Sequence, residues 1–485
     1  KILMKRNLFP ITLLLAGVMM LASCLNDEDD SIKITYYGDA ALTSFSVGTL
    51  TRTYLNNKGE ALKSTVDGTD STTTVDGSKY KFTIDQLKRE IYNADSLPAG
   101  TAVSKVVCSL ASKNSGVVYV KRMASDTLDY FTGNDSIDFK DKRVFRVYST
   151  DGQSYRDYNV EIRVHKELAD SFEWQREDVS NILPDLGKYK GVKIFAMGEN
   201  VFAMVNDGAT SFVMRKGIND NSRWNTVTPN VNTVFSPDAY KNVATLDGWI
   251  YMLTNGIMFK SKDGAEWQNV NVQGVENLKQ LVGASATKLY AITQNGMASS
   301  KDGEVWTDVA LDGDKNLLPT GSISFCTMPS TTNKGVDRLV MVGNSAKADT
   351  AAVVWGKIED YSEEQDSYSW SLYEGNYKKE LPNMAGLSVV RYDGRLYAIG
   401  GAGLGGSTAQ PYAQLYFSKD QGLTWHKSTL FTLPADMPKD VDPNTLSMTT
   451  DKYNNVWIIS ASTAQVWKMR INRLGWKTEQ TAFSE

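Results

Sequence analysis

The segment Ser261-Lys262-Asp263-Gly264-Ala265-Glu266-Trp267 occurs in three versions and decides the fold. The other two read Ser300-Lys301-Asp302-Gly303-Glu304-Val305-Trp306 and Ser418-Lys419-Asp420-Gln421-Gly422-Leu423-Thr424-Trp425. An aromatic, strand-like run precedes each copy, namely Trp249-Ile250-Tyr251-Met252-Leu253, Lys288-Leu289-Tyr290-Ala291-Ile292 and Arg395-Leu396-Tyr397-Ala398-Ile399. Strand and signature therefore recur together as one repeating unit.

Three further segments carry the strand with only a later tryptophan. They begin at Asn200-Val201-Phe202, Arg338-Leu339-Val340 and Asn455-Val456-Trp457. The six units are roughly 40 to 60 residues apart, a period typical of propeller blades. The sequence thus predicts an all-β chain whose residues 167–485 form a β-propeller, six-bladed with seven blades as the alternative.

Each unit is predicted to contain four strands, as the second unit shows. Residues 240–246, 249–254, 257–261 and 266–270 alternate with turn dipeptides at Asp247-Gly248 and Asn255-Gly256. A single sheet of this kind cannot bury both of its faces, so a ring of sheets, each packed on the next, is expected. The segment Phe172-Glu173-Trp174-Gln175 resembles a fourth blade strand, which either joins the last blade or starts an irregular seventh.

The repeated signature resembles the Asp-box of sialidases and other propellers, S-x-D-x-G-x-T-W, which residues 418–425 match in full. Aspartate and serine oxygens can accept hydrogen bonds from the turn, glycine permits positive φ, and tryptophan covers the turn with a large apolar face. The resemblance implies a structural hairpin at the blade's outer edge. The residues assigned this role are Ser261, Asp263, Gly264, Trp267, Ser300, Asp302, Gly303, Trp306, Ser418, Asp420, Gly422 and Trp425.

The N-terminus predicts export and anchoring. Lys5-Arg6 precede an apolar run from Leu8 to Met20, which has the layout of a signal peptide over residues 1–23. Leu21-Ala22-Ser23-Cys24 resembles a bacterial lipobox, which implies lipidation of Cys24 and an outer-membrane lipoprotein; an ordinary signal peptide is the alternative. Residues 24–31 read as an acidic tether and resemble the export signal of surface lipoproteins of the Bacteroidota, with the periplasmic face as the alternative.

Residues 32–166 are predicted to form a separate small β-sandwich. Alternating runs such as residues 105–110, 116–120 and 144–148 lie between turn dipeptides. Residues 137–164 resemble the last two strands of immunoglobulin-like modules, and residues 85–94 are predicted to form a short amphipathic helix. Cys108 and Cys326 fall in different predicted domains, so no disulfide is expected between them.

Composition excludes several classes of function. The formal net charge of -4 provides no basic patch for nucleic acid. The two histidines, His165 and His426, leave no histidine-based triad or metal site, and no cofactor or metal is expected. Gly401 to Gly406 fit G-x-G-x-x-G without a following helix, and Asp312 to Asn316 begin like a calcium loop but lack its glycine and glutamate.

The whole arrangement resembles an uncharacterised family of Bacteroidota lipoproteins with an immunoglobulin-like domain and an Asp-box propeller. Sialidase activity is not expected, because residues 191–196 lack the arginine that opens the sialidase carboxylate site. We expect a non-catalytic binding module for a glycan or protein ligand at one end of the propeller, with Tyr240, Arg391, Tyr392 and Tyr412 as candidate ligand contacts. A structural or assembly protein of the envelope is the alternative, and a glycosidase is a weaker one. The oligomeric state stays open.

Five Asp-Ser/Thr-aliphatic triplets resemble the acceptor motif of O-glycosylation in exported proteins of this kind. The motif is short enough to occur by chance, so each triplet is a separate prediction of modification. The hydroxyl residues are Ser31, Ser96, Thr127, Ser136 and Thr350.

Overall fold

The structure is a computed structural model that describes residues 35–56, 59–177, 188–219, 223–362, 368–374, 379–429 and 431–476. The chain divides into two compact units, with the boundary between Lys166 and Glu167. The predicted signal peptide, Cys24, the tether and the triplet at Ser31 lie outside the described residues.

The N-terminal unit is a β structure of two larger sheets and one two-stranded sheet. Its strands are β1 (Leu42–Val47), β2 (Thr49–Thr53), β3 (Thr72–Asp76), β4 (Phe82–Asp85), β5 (Glu90–Asn93), β6 (Val106–Ser112), β7 (Val118–Lys121), β8 (Leu128–Tyr130), β9 (Ser136–Ile137), β10 (Arg143–Tyr148) and β11 (Tyr155–Glu161). One sheet has the order β1-β6-β9, the other the order β4-β5-β11-β10-β7-β8, and β2 pairs with β3. Side chains of both larger sheets share one core, among them Phe45, Cys108, Phe145 and Tyr158.

The predicted helix at residues 85–94 is wrong. These residues form the β4–β5 hairpin, in which the Asp85 carboxylate accepts hydrogen bonds from the N–H groups of Leu87 and Lys88. Leu87 is 95% exposed, whereas Ile91 is buried in β5, so the two residues do not share an apolar face. An aspartate that bonds the backbone two and three residues on favours a turn over a helix.

The C-terminal unit consists of sheets of four or five strands. They are sheet 1 with β13 (Gly191–Met197), β14 (Asn200–Asn206), β15 (Ser211–Gly217) and β16 (Asn225–Val227); sheet 2 with β17 (Val243–Leu246), β18 (Trp249–Thr254), β19 (Ile257–Ser261) and β20 (Trp267–Val270); and sheet 3 with β21 (Leu278–Ala284), β22 (Leu289–Thr293), β23 (Met297–Ser300) and β24 (Thr307–Val309). They continue as sheet 4 with β25 (Leu311–Asp312), β26 (Gly321–Pro329), β27 (Val336–Asn344), β28 (Val353–Asp360) and β29 (Trp370–Leu372); sheet 5 with β30 (Ser388–Tyr392), β31 (Arg395–Ile399), β32 (Tyr416–Ser418) and β33 (His426–Lys427); and sheet 6 with β34 (Leu446–Thr450), β35 (Val456–Ser460), β36 (Gln465–Met469) and the earlier strand β12 (Gln175–Glu177).

Helical structure in the part of the chain that the structure describes is limited to single 3₁₀ turns. They are Gly77–Lys79, Lys113–Ser115, Ala239–Lys241, Lys315–Leu317, Pro443–Thr445 and Asn472–Gly475. The chain is therefore all-β, as predicted, with a β-propeller as its C-terminal domain.

Each sheet packs on the next through its own apolar cluster. Phe202 and Val213 of sheet 1 meet Phe259 and Trp267 of sheet 2, and four further clusters join sheets 2 to 6 in order. A last cluster joins Trp457 and other residues of sheet 6 to sheet 1. Burial of a sheet's second face by its neighbour is the main energetic reason for a ring. Six blades stay the prediction for the complete propeller.

The segment after the domain boundary completes sheet 6. Strand β12 pairs antiparallel with β36, with Gln175 opposite Lys468 and Glu177 opposite Val466. Of the two sequence alternatives, the structure shows the first, in which this segment joins the last sheet. The two ends of the propeller chain are thereby hydrogen-bonded to each other.

The strands predicted for the second repeat, residues 240–270, agree closely with sheet 2. Residues 249–254 and 257–261 coincide with β18 and β19, and the two intervening turns have positive φ at Asp247, Gly248, Asn255 and Gly256. Two consecutive positive φ values are the requirement of a type I′ turn, a common two-residue hairpin turn. The first predicted strand is shorter, because Ala239–Lys241 form a 3₁₀ turn before β17.

Candidate functional site

The three signature segments form hairpins that are closed by the same hydrogen bonds; we call them the signature hairpins. In the first, the Ser261 hydroxyl accepts from the Gly264 N–H at 2.9 Å, and the Asp263 carboxylate accepts from two N–H groups at 2.8 and 3.0 Å. The Trp267 indole N–H donates to the Gly264 carbonyl at 2.7 Å. The second hairpin repeats this pattern, with an indole bond of 2.8 Å for Trp306. In the third, the Asp420 carboxylate accepts from the N–H and the hydroxyl of Thr424, and the Trp425 indole bond is 3.1 Å.

The signature hairpins connect the third and outermost strands of sheets 2, 3 and 5, and they pack on the preceding sheet. A Cβ at Gly303 would lie 2.8 Å from Tyr251 of sheet 2, and a Cβ at Gly264 would lie 2.9 Å from Val213 of sheet 1. The three tryptophans are at most 7% exposed, with Trp306 at 1%. This geometry is that of an element that holds adjacent sheets together, and it offers little surface to a ligand.

A cavity of about 780 Å³ lies where the innermost strands of all six sheets meet. Its wall consists of β13, β17, β21, β26, β30 and β34 together with the residues that precede them. Ligand pockets of small molecules are typically about 300 to 1,000 Å³. The cavity is therefore large enough for an oligosaccharide or a peptide segment.

Side chains on the inner strands join neighbouring sheets around this cavity. Three of the connections have the same form, in which a serine hydroxyl accepts from a backbone N–H of the next inner strand. The pairs are Ser324 with the Val389 N–H at 2.9 Å, Ser388 with the Met448 N–H at 3.1 Å, and Ser447 with the Ile194 N–H at 3.1 Å. The residues whose N–H groups donate directly follow Ser388, Ser447 and Lys193 in the chain. Ser324, Ser388, Ser447 and Lys193 therefore lie at one level of the inner strands.

Lys193 and Asn242 continue this arrangement in sheets 1 and 2. The Lys193 ammonium donates to the Val243 carbonyl at 2.9 Å and to the Lys241 carbonyl at 3.4 Å. The Asn242 side-chain oxygen accepts from the Leu281 N–H at 3.2 Å. With Gln280, which precedes Leu281, these polar residues form what we call the inner belt: Lys193, Asn242, Gln280, Ser324, Ser388 and Ser447, all of which line the cavity.

Lys193 is the titratable member of the inner belt. Its side chain is partly buried, and loss of hydration lowers the pKa of its ammonium to about 8. Its two hydrogen-bond acceptors are backbone carbonyls, which stabilise the charged form without neutralising it. Lys193 therefore places a poorly hydrated ammonium in the cavity wall.

Two of the four residues predicted to contact a ligand line the cavity. Arg391 is exposed and forms no side-chain hydrogen bond or ion pair with any other described residue. Tyr240 lies in the wall but is only 5% exposed, and a Cβ on Gly191 would lie 2.3 Å from its ring. Tyr240 thus supports β13, and Arg391 is the one of the two whose polar end is free to meet a ligand.

The structure corrects the prediction for Tyr392 and Tyr412. They are 4% and 3% exposed and belong to the apolar cluster between sheets 5 and 6. The Tyr392 hydroxyl accepts a hydrogen bond from the Ile471 N–H at 2.9 Å, which makes it a packing residue with a satisfied polar group. Tyr392 lies on the face of β30 that packs against sheet 6.

The remaining motifs form no site in the described residues. The cysteines Cys108 and Cys326 are buried and free, and burial raises the pKa of each thiol to about 12. The Asp314 carboxylate caps a 3₁₀ turn by accepting from the Asn316 N–H, where the sequence began like a calcium loop. Across the described ranges, no group of three or more acidic, histidine or cysteine side chains is placed to hold a metal, and no helix there is long and apolar enough to span a membrane.

The inner belt is not among the sites predicted from the sequence. A signal for it exists, because polar residues interrupt apolar strands at matching places, as in Leu387-Ser388-Val389, Leu446-Ser447-Met448 and Val192-Lys193-Ile194. Each triplet alone is unremarkable on a half-buried strand. Their common level depends on how six separate strands align, which is a non-local property.

The fold and the central cavity define a β-propeller protein that carries an N-terminal β domain. Comparison with family models shows that the chain belongs to the DUF6242 family, with residues 45–162 matching its N-terminal domain and residues 168–479 its beta propeller domain, a domain of unknown function. No match was found among curated proteins.

Solved structures are similar to this chain only at low identity. A DUF4623 family protein from Bacteroides eggerthii is 12% identical with a TM-score of 0.33, covering 89% of this chain and 98% of that one. An alpha-L-arabinanase from Penicillium chrysogenum, complexed with arabinobiose, is 12% identical with a TM-score of 0.36, covering 61% of this chain and 95% of that one. An AA12 carbohydrate-active enzyme from Trichoderma reesei is 10% identical with a TM-score of 0.35, covering 63% of this chain and 96% of that one. At these TM-scores, the likenesses support no inference about function.

Proposed function

We propose that the propeller is a non-catalytic binding module that takes up a glycan in the cavity at the centre of the ring, and that a lipid on Cys24 holds the protein at the outer surface of the outer membrane. The observation that carries the binding role is the cavity itself, which is about 780 Å³ and is surrounded by the polar inner belt. Concave sites with a few convergent polar groups are the usual places of ligand binding.

The inner belt keeps hydrogen-bonding capacity for a ligand. Each of its three serines accepts one backbone N–H, and a hydroxyl has one donor and a second lone pair besides. The Gln280 amide adds two donors and an acceptor at the same level. Donors and acceptors side by side suit sugar hydroxyls, which act in both ways.

The charged groups of the cavity favour binding over hydrolysis. Most glycosidases need two carboxyl groups about 5 to 9.5 Å apart. Asp238 is the only carboxylate among the described residues that line the cavity, and it pairs with Lys241 at 3.1 Å. No histidine lines the cavity either, so the wall lacks the acid and base pair that glycosidic cleavage requires.

The proposal is tested by a glycan array screen followed by calorimetry on a variant with a blocked cavity. Gly321 lines the cavity at the start of β26, and a Cβ added there would meet no atom within 4 Å. We expect Gly321→Trp to obstruct the cavity with its indole ring and abolish binding of any glycan that the array identifies. The control is Leu87→Trp, at a 95% exposed position of the N-terminal unit, which should bind normally. Equal binding by both variants would contradict a site in the cavity.

A further inference from the structure

The charged side chains of the cavity are predominantly cationic, although the chain as a whole carries a formal net charge of -4. Lys193, Lys241, Lys279 and Arg391 line the cavity together with the single carboxylate of Asp238. Positive side chains concentrated in a concave, low-dielectric wall raise the local concentration of anions. The charge of the cavity therefore differs in sign from that of the protein.

Three of the cations lie close to the inner belt, on or just before three consecutive inner strands. Lys193 is a belt residue of β13, while Lys241 and Lys279 each immediately precede a belt residue, Asn242 and Gln280. The Lys193 ammonium reaches the carbonyl of Lys241 itself. The three lysines are thus gathered on the side of the cavity formed by sheets 1, 2 and 3.

The lysines are incompletely neutralised by the protein. The Lys279 side chain forms no hydrogen bond or ion pair with any described residue. Lys241 pairs with Asp238, whose side chain is 75% exposed, and its ammonium lies 5.4 Å from the centre of the Tyr240 ring. Exposed ion pairs of this kind are weak because water screens them, so Asp238 competes weakly with a ligand. Lys193 donates to two carbonyls, which leaves one of the three N–H groups of its ammonium available.

Arg391 provides a fourth cation further along the same cavity. It follows the belt residue Ser388 by three positions on β30, a rise of about 10 Å at the usual spacing of strand residues. Its guanidinium, which forms no ion pair in the described chain, has a planar set of donors that suits carboxylate and sulfate groups. A ligand of two or three sugar units would extend from the lysines to Arg391.

From these positions we propose that the cavity selects acidic saccharides, in which carboxylate or sulfate groups contact Lys193, Lys241 and Lys279, and a further acidic group contacts Arg391. The inference rests on the proposed glycan-binding function and specifies its ligand class. Neutral sugars would leave several cations in the wall without partners, so they would bind more weakly.

The test is calorimetric titration with defined probes. The acidic probes are trigalacturonic acid, which carries carboxylates, and a chondroitin sulfate tetrasaccharide, which adds sulfate; the matched neutral probe is the methyl ester of trigalacturonic acid. We expect at least one acidic probe to bind at least tenfold more tightly than the neutral ester, with an affinity that falls as salt is raised. The stronger of the two acidic probes identifies the preferred group.

Variants of the two unpaired cations link the selectivity to the cavity. Lys279→Gln and Arg391→Gln are each expected to weaken binding of the acidic probe by about tenfold or more, as expected for loss of a charge-assisted hydrogen bond. The control, Lys301→Gln, removes an equal charge from an exposed position on a signature hairpin and should change affinity little.

The outcomes distinguish the two proposals. Binding of the neutral ester as strong as that of the acidic probes, abolished by Gly321→Trp, would overturn the acidic selectivity and leave the cavity site intact. Acidic binding that survives Gly321→Trp would overturn both proposals, as would equal losses in Lys279→Gln and Lys301→Gln. Failure of both acidic probes to bind would overturn the inference.

Discussion

Replacement of Lys193 by methionine should remove a specific pH dependence of stability. The ammonium of Lys193 has a pKa lowered from 10.5 to about 8 because burial strips its hydration. Between these two values the unfolded chain holds a proton that the folded chain has released. Stability therefore rises with pH from about 8 to about 10.5 and is unaffected by this group below about 8.

The size of the effect follows from the shift. A difference from 10.5 to about 8 corresponds to at most about 3 kcal/mol, since each pKa unit is worth about 1.4 kcal/mol. The carbonyls of Val243 and Lys241 favour the charged form and make this an upper bound. We expect wild type to gain about 1 to 3 kcal/mol relative to Lys193→Met between pH 7 and pH 10.

The assay is urea unfolding followed by tryptophan fluorescence at both pH values. All eleven tryptophans lie at or after Trp174, so the signal reports on the propeller alone. Cys326 and several buried tyrosines have raised pKa values and lower the stability in alkali, but they do so in both proteins and cancel in the difference. Parallel pH profiles for wild type and Lys193→Met would refute the lowered pKa of Lys193.

Further predictions concern the signature hairpins, the anchor and the exported surface. Trp425→Ala should lower the free energy of unfolding by about 3 to 5 kcal/mol, because Trp425 is only 4% exposed and packs between sheets 4 and 5. Asp420→Ala should cost about 1 to 3 kcal/mol through the lost bonds to the Thr424 N–H and hydroxyl, and loss of glycan binding at unchanged stability in either variant would contradict a purely structural hairpin. Cys24→Ala should move the protein from the membrane to the soluble fraction on cell fractionation, and its retention in membranes would argue against lipidation; degradation of the unmutated protein by proteinase added to intact cells would support surface exposure. Intact-mass and peptide analysis of natively produced protein should find O-glycans first at the exposed hydroxyls of Thr127, Ser136 and Thr350, and a bare polypeptide mass would count against modification.

Local sequence patterns predicted the turns and the strand bounds of sheet 2 correctly. The dipeptides Asp247-Gly248 and Asn255-Gly256 fix the hairpins of sheet 2 because few residues tolerate their positive φ, so the strand bounds between them follow directly. The helical spacing of Leu87 and Ile91 led to the wrong prediction of a helix, because the Asp85 side chain closes a turn at this place.

The candidate site depended on contacts between distant strands. Alternation shows that Arg391 and Tyr392 lie on opposite faces of β30, but not which of the two side chains reaches the cavity. The inner belt unites residues as far apart as Ile194 and Ser447, whose hydrogen bond exists only once the ring is formed. No local pattern shows which distant strands become neighbours, so Lys193 and Lys279 could not be predicted as site residues from the sequence.

A crystal structure of the protein with an array-identified saccharide tests the central claim most directly. We predict that the saccharide occupies the cavity, with hydrogen bonds to the inner belt and its acidic groups within reach of Lys279 or Arg391. A saccharide bound at the signature hairpins, with the cavity free of it, would contradict the assignment of binding to the centre of the ring.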